Sequence, residues 1–332
     1  MENAKKIASN TISQILSRLF NAVLSVIIIN IITNYLKASG YGEYTLVYEL
    51  VGFFGIACDL GLFTLAVDEM SKHKSHMAKV LGDMLGLRIV LIAIIGTITC
   101  LGAFVLPSFS WQMSIAVVIA TIGMAAYLIG STISAALQVH LKMPQFAMAV
   151  IVGKILSVIY IALTAKFDWG FQHLIIAGTI NNFFVCIVSW YTANKVLPIR
   201  FRFEIVAMKS ILKKCAIYGT ALILGTVYLR INSLILGQFQ DRATVGVFGV
   251  ALRSYELLLL IPFSFMNSVL PSLSAAHDDE KRFAHLLQKS WDILIMIGLG
   301  VLLSFAASPP VAERLNLSTF YFVKRHIIMV VP

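Results

Sequence analysis

Nine apolar stretches, each about 20 residues or longer, follow one another along this chain with little between them. They run over 11–36, 44–67, 83–106, 113–138, 147–165, 171–192, 215–239, 246–270 and 288–306. A hydrocarbon core of about 30 Å is crossed by about 20 apolar residues in helical form. Lipid offers the backbone no hydrogen-bond partner, so stretches of this length must be helical. Only 13% of the residues are charged, against about 25% in a typical soluble domain. The chain is therefore read as an all-α, polytopic membrane helical bundle of about nine transmembrane helices. Lys5 and Lys6 precede the first stretch in the manner of a signal peptide. That stretch is too long for a signal core and ends without a small-residue cleavage site, so it reads as a retained first helix.

The basic residues test this layout. If successive helices alternate in direction, the loops after the second, fourth, sixth and eighth share a side with the N-terminus. Lys5, Lys6 and Arg18 open the first helix; Lys72, Lys74, Lys79 and Arg88 lie between the second and third or just inside the third. Lys142 and Lys154 belong to the next such junction. Lys195, Arg200, Arg202, Lys209, Lys213 and Lys214 fill the loop after the sixth, and Lys281, Arg282 and Lys289 follow the eighth. Together 18 of the 26 Lys and Arg fall on that side, while the opposite loops hold Lys37, Lys166 and Arg242. Cytoplasmic loops carry the excess of Lys and Arg, which puts the N-terminus and this side in the cytoplasm. The net charge of +10 follows from topology and calls for no nucleic-acid partner.

An internal repeat organises the bundle. The junction of the first two helices reads Tyr35-Leu-Lys-Ala-Ser-Gly-Tyr-Gly42-Glu-Tyr44, and 204 residues later stands Phe239-Gln-Asp-Arg-Ala-Thr-Val-Gly246-Val-Phe248. Each has an aromatic at a helix end, a polar turn, and Gly-x-aromatic opening the next helix. Six helices separate the copies, so the two halves share an orientation, a plan that places a substrate site between lobes. The expected domains are a six-helix lobe over 1–194, a basic cytoplasmic loop over 195–214, a partial three-helix lobe over 215–308 and an atypical tail over 309–332. The tail has no spanning pattern, so the second lobe reads as incomplete. A truncated gene product and a short interfacial segment both fit that tail.

Nucleophile-elbow, P-loop and His-x-x-x-His spacings are absent, and the histidines fall mainly in loops. Cys58, Cys100, Cys186 and Cys215 sit in apolar runs and read as small buried hydrophobes. The chain carries no sign of an enzyme, a metal or a cofactor. What remains is charge at membrane depth. Arg18, Lys154, Arg230 and Arg253 lie inside spanning stretches, and so do the acids Asp59 and Glu256. A cation at the bilayer centre costs about 2.5–3.5 kcal/mol on insertion scales. One account is snorkelling for Arg18 and Lys154 and an i,i+3 pair between Arg253 and Glu256. The other is a central cavity whose walls hold an anion. Pro262, inside the eighth helix, removes a backbone donor and favours a bend there.

Three stretches carry a family resemblance. They are Asn10-Thr-Ile-Ser-Gln with Gly40-Tyr-Gly42-Glu-Tyr44 and Asp59-Leu-Gly61-Leu; Tyr228-Leu-Arg230-Ile-Asn232-Ser-Leu-Ile-Leu-Gly237; and Val245-Gly246-Val-Phe248-Gly-Val-Ala251 through Ile261-Pro262 to Leu270-Pro271-Ser-Leu-Ser274. With these the chain resembles the Wzx-type polysaccharide-biosynthesis flippases of the MOP superfamily, which also holds the MATE drug exporters and lipid II flippases. The resemblance implies two MATE-like parallel-repeat lobes and alternating access. The implied cargo is a polyprenyl-diphosphate-linked oligosaccharide, moved to the outer leaflet of the bacterial inner membrane for surface polysaccharide such as O-antigen.

The resemblance also implies a role for the cations, with Arg18, Lys154, Arg230 and Arg253 holding the diphosphate. Asp59, Glu256 and Asn232 are the candidates for charge pairing or for coupling to a proton or sodium counter-ion. Two departures stand out. Asn232 occupies a position where many relatives have an acid, and relatives have more helices than this chain. Three other readings stay open: a MATE-like multidrug exporter, which needs an acidic cavity; an inactive truncated fragment; and a membrane glycan polymerase or glycosyltransferase, which needs larger outer loops than these.

Overall fold

In the computed structural model the described backbone covers residues 2–276 and 279–314. Side chains are described between Leu16 and Gly300 with gaps, Arg18 among them, so that candidate and the 315–332 tail lie outside the described residues. Among the described residues the chain is helical with no strand. The helices are α1 (Glu2–Asp59), α2 (Leu62–Lys72), α3 (Met77–Val105), α4 (Trp111–Val139), α5 (Met143–Phe167), α6 (Phe171–Asn194), α7 (Ile205–Phe239), α8 (Arg242–Ala275) and α9 (Glu280–Arg314).

α1 is two spans joined at one residue. Lys37 has φ 58° and ψ −170°, a region that Gly alone adopts readily, and the chain reverses there. Residues 17–35 run along α5: Ser17 donates to the Ala147 carbonyl at one end, and the Tyr35 hydroxyl reaches Asp168 at the other. The returning arm runs antiparallel to α7, from Leu46 beside Gly237 to Leu60 beside Gly219. The turn expected over 37–43 is thus a single residue. The second expected helix, 44–67, is broken where Leu60 (φ 44°) and Gly61 (φ 73°) turn the chain into α2. Hydropathy does not register that break, because apolar residues stand on both sides of it.

Elsewhere the helices outrun the apolar stretches. α7 starts at Ile205 instead of 215 and α9 covers Glu280–Arg314 instead of 288–306. At 1.5 Å per residue α7 is about 52 Å long, more than a bilayer core is thick. Hydropathy marks the part inside lipid, whereas backbone hydrogen bonding carries the helix on through polar residues. The basic loop therefore shortens to 195–204, and α8 stays helical through Pro262.

Polar contacts gather at the two ends of the bundle. At one end Gln172 donates to the Gln112 carbonyl at 2.7 Å, and Gln238 donates to Ser108 Oγ at 2.7 Å. Arg242 reaches the Ser108 carbonyl, and Ser110 caps α4 by accepting from the Met113 amide at 3.3 Å. Asp241 opens α8; the Thr244 side chain and amide hold its carboxyl below the usual range. At the other end Lys214 meets Glu69 at 2.6 Å and Arg202 meets Asp83 at 3.1 Å. There the Arg200 and Arg202 carbonyls lie where Gly82 and Gly86 of α3 would carry a Cβ, so residues 200–202 are packed onto the bundle.

Helices touch through small residues, as expected where lipid supplies no hydrophobic drive between them. Gly123 and Gly130 of α4 face Thr179 and Cys186 of α6. The closest approach joins the repeat copies. A Cβ on Gly42 would strike the Arg242 carbonyl, and a Cβ on Gly246 would strike the Ala38 carbonyl. Both contacts map onto each other under the 204-residue offset, the signature of a local two-fold axis. The chain divides into two compact units between Gly246 and Val247, and these contacts lie in the first. The second holds the rest of α8 and α9.

Gly42→Ala and Gly246→Ala should each destabilise the protein by about 1–3 kcal/mol, since backbone cannot give way as a side chain can. Together they should cost less than their sum, because they open the same contact. Thermal unfolding in detergent reads this, with Gly102→Ala, which meets nothing within 4 Å, as the neutral control.

Candidate functional site

Among the described residues, Arg88, Arg230 and Arg253 each lie beside a counter-charge. Arg230 of α7 donates through Nη1 to Glu49 Oε2 of α1 at 2.8 Å; Glu49 is wholly buried and Arg230 a quarter exposed. Arg230 lies flat against Gly52, one turn after Glu49: a Cβ on Gly52 would stand 2.7 Å from its Cζ. The sequence singled out Arg230 but not Glu49. The signal was available, since an acid inside an apolar stretch carries a penalty of the same kind as a cation there.

Asp59, at the end of α1, faces a residue that the charge pattern had assigned to a loop boundary. Arg88 lies about 16 Å into α3 and is wholly buried. Its Nε donates to Thr132 Oγ1 at 2.9 Å, and its Nη1 donates to the Cys58 carbonyl at 2.7 Å. Nη2 sits 2.9 Å from Asp59 Oδ1, a charge contact outside hydrogen-bond geometry. Thr132 in turn donates its hydroxyl to the Leu128 carbonyl at 3.0 Å. Arg88 was missed because α3 begins six residues before its apolar stretch, which made an interior position look like an edge.

In the second unit Arg253 Nη1 donates to Glu256 Oε2 at 2.6 Å, the i,i+3 pair the spacing allows. Lys154 is half-buried near the middle of α5, and Asn232 is exposed on α7. Within the first unit the structure brings Arg230 to Glu49 and Asp59 to Arg88.

In chemical terms Arg88, Arg230 and Arg253 are cations within helices, each beside a carboxylate. A family model described as "Polysaccharide biosynthesis protein" matches residues 7–277. The chain belongs to the polysaccharide biosynthesis protein family. Neither a curated protein nor a solved structure matches it significantly. The family match runs through both copies of the repeat and includes every candidate from Arg18 to Glu256. The chain is thus a multi-pass membrane protein of a polysaccharide-biosynthesis family, with charge pairs inside its helical bundle.

Asp59→Ala should destabilise the protein by about 3–5 kcal/mol by stranding the Arg88 charge. Asp59→Ala with Arg88→Leu should recover most of that loss. A double variant no more stable than Asp59→Ala, in denaturant or thermal melts, would show that the pair is not the source.

Proposed function

We propose that this chain flips a polyprenyl-diphosphate-linked oligosaccharide from the cytoplasmic to the outer leaflet of the bacterial inner membrane. The basic end of the bundle and the N-terminus then face the cytoplasm, and no covalent chemistry is involved. The observation that carries the reading is Arg230. Its guanidinium is three-quarters buried in the seam between the repeat copies, within a family whose work is polysaccharide biosynthesis.

A lipid-linked sugar brings two problems to a bilayer: an uncharged but strongly hydrated glycan, and a diphosphate anion. The glycan needs a wet path between lobes. The anion needs cations already placed at depth, because bringing them in with the cargo would cost their desolvation at each cycle. Arg18, Lys154, Arg230 and Arg253 supply such cations. Arginine suits phosphate oxygens through its planar fork of donors. Glu256, paired with Arg253, is an acid through which a proton or sodium ion would drive the lobes, by competing with the cargo for that cation; Asp59 is the charge partner of Arg88.

Arg18→Ala, Arg230→Ala and Arg253→Ala, each in the full chain, should abolish surface-glycan export in cells lacking their own flippase while leaving membrane insertion intact. Normal export in all three variants would sink the proposal.

A further inference from the structure

The connection between α5 and α6 is three residues, Asp168-Trp169-Gly170, and its shape is fixed from several sides. Asp168 stands at φ 53°, in the left-handed region, and Gly170 at φ 92°, where a side chain would be strained. A third helix pins the turn: the Tyr35 hydroxyl of α1 donates to Asp168 Oδ1 and accepts from the Gly170 amide at 3.1 Å. The Trp169 amide donates back to the Thr164 carbonyl of α5 at 3.2 Å. Trp169, at the tip, is thus held in place while 43% exposed.

Rings gather around it. Phe167 lies nearly parallel to Trp169, at 16° and 5.9 Å between centroids. Tyr160 stands 5.7 Å from the indole and the His173 imidazole 5.5 Å from it. A 2.8 Å hydrogen bond joins the Tyr160 hydroxyl to His173 Nδ1, which orients the imidazole and leaves Nε2 as its second polar atom. The Asp168 carboxylate likewise has a second oxygen beside the one that Tyr35 engages. The patch is apolar on its ring faces and hydrogen-bonding at its rim. That combination fits a sugar, which has an apolar C–H face and a rim of hydroxyl donors. A phosphate fits poorly, because the carboxylate repels it. An aromatic residue that anchors a helix at a membrane surface needs only an amphipathic ring. It needs neither a left-handed turn nor a hydroxyl from another helix to hold that turn.

We infer that the turn between α5 and α6 is a glycan platform: Trp169 and Phe167 take sugar rings of the cargo on their faces, and Asp168 and His173 take its hydroxyls. This rests on the flippase reading, which turns this end of the bundle outward and gives it a glycan to receive. The platform lies at the far end of α5 from Lys142, in the first compact unit. It would hold the sugars once they have crossed, and it recognises them separately from the diphosphate.

The test is calorimetric binding to the full chain in lipid nanodiscs. The probe is the glycan cut from its lipid by mild acid, taken from a strain in which the unsubstituted chain restores export. Trp169→Ala should weaken binding about tenfold, the upper end of what one aromatic contact adds beyond buried area. Asp168→Asn keeps a residue that tolerates the left-handed turn and should weaken binding severalfold. Trp169→Phe should retain most of it. Trp111→Ala is the control for a membrane-surface role, since Trp111 is 71% exposed at the same end, beside the Gln112–Gln172 contact. It should bind as the unsubstituted chain does. Unchanged binding in both Trp169→Ala and Asp168→Asn overturns the platform, and so does an equal loss in Trp111→Ala. A glycan that the unsubstituted chain exports but does not bind overturns the platform alone. Failure of the unsubstituted chain to export in cells lacking their own flippase overturns the flippase reading, and the platform with it.

Discussion

Inside a hydrocarbon layer every polar group must find its partner within the protein, and the placement of charges and hydroxyls in this bundle follows from that demand. Six threonines within helices bend back onto their own backbone. Thr33, Thr97, Thr99, Thr132, Thr164 and Thr192 each donate to the carbonyl four residues earlier, at 2.6–3.0 Å. A hydroxyl is cheap to satisfy in this way because the acceptor is always present one turn back. A guanidinium is not: it has five donors and a charge, and Arg88 and Arg230 draw partners from other helices. Arginines therefore decide which helices have to stay together, and small residues decide which can come close enough to let them.

Glycine does the second part most visibly at the repeat. Gly42 and Gly246 let backbone meet backbone, each against the carbonyl four residues before the other. The reciprocal geometry ties two segments that share only a short sequence likeness, and it explains which part of that likeness is needed. The aromatic and the polar turn vary between the copies, Tyr35 against Phe239 and Ser39-Gly40 against Ala243-Thr244, whereas the glycine does not. A side chain at either position has nowhere to go.

The fold was legible in the sequence because hydropathy reports the solvent, and a bilayer is a solvent with sharp edges. The all-α, multi-pass character followed from it. Helix ends did not, since α7 and α9 run on into polar residues that hydropathy scores as loop. The break at Leu60–Gly61 was invisible because both flanks are apolar. The site was half legible. Arg230, Arg253, Asp59 and Glu256 announced themselves as charges in apolar runs, but the pairings across helices could not be read from spacing. Only the local i,i+3 pair of Arg253 and Glu256 could. Glu49 and Arg88 needed the structure: one for its partner 181 residues away, the other for its depth.

Two arginines on neighbouring helices show how the same residue type divides between holding a fold and serving a function. Arg88 has no exposed surface, and its donors go to a backbone carbonyl, a threonine that is itself anchored, and an adjacent carboxylate. An anion could reach it only by undoing several fixed bonds at once. Arg230 keeps a quarter of its surface open, rests on a glycine, and has its carboxylate on a helix from the other copy of the repeat. Among the described residues it donates to Glu49, across a seam lined with glycine. A cation of the first kind stabilises one arrangement of helices. One of the second kind can change partners as helices move, and that is the property a carrier of anionic cargo requires.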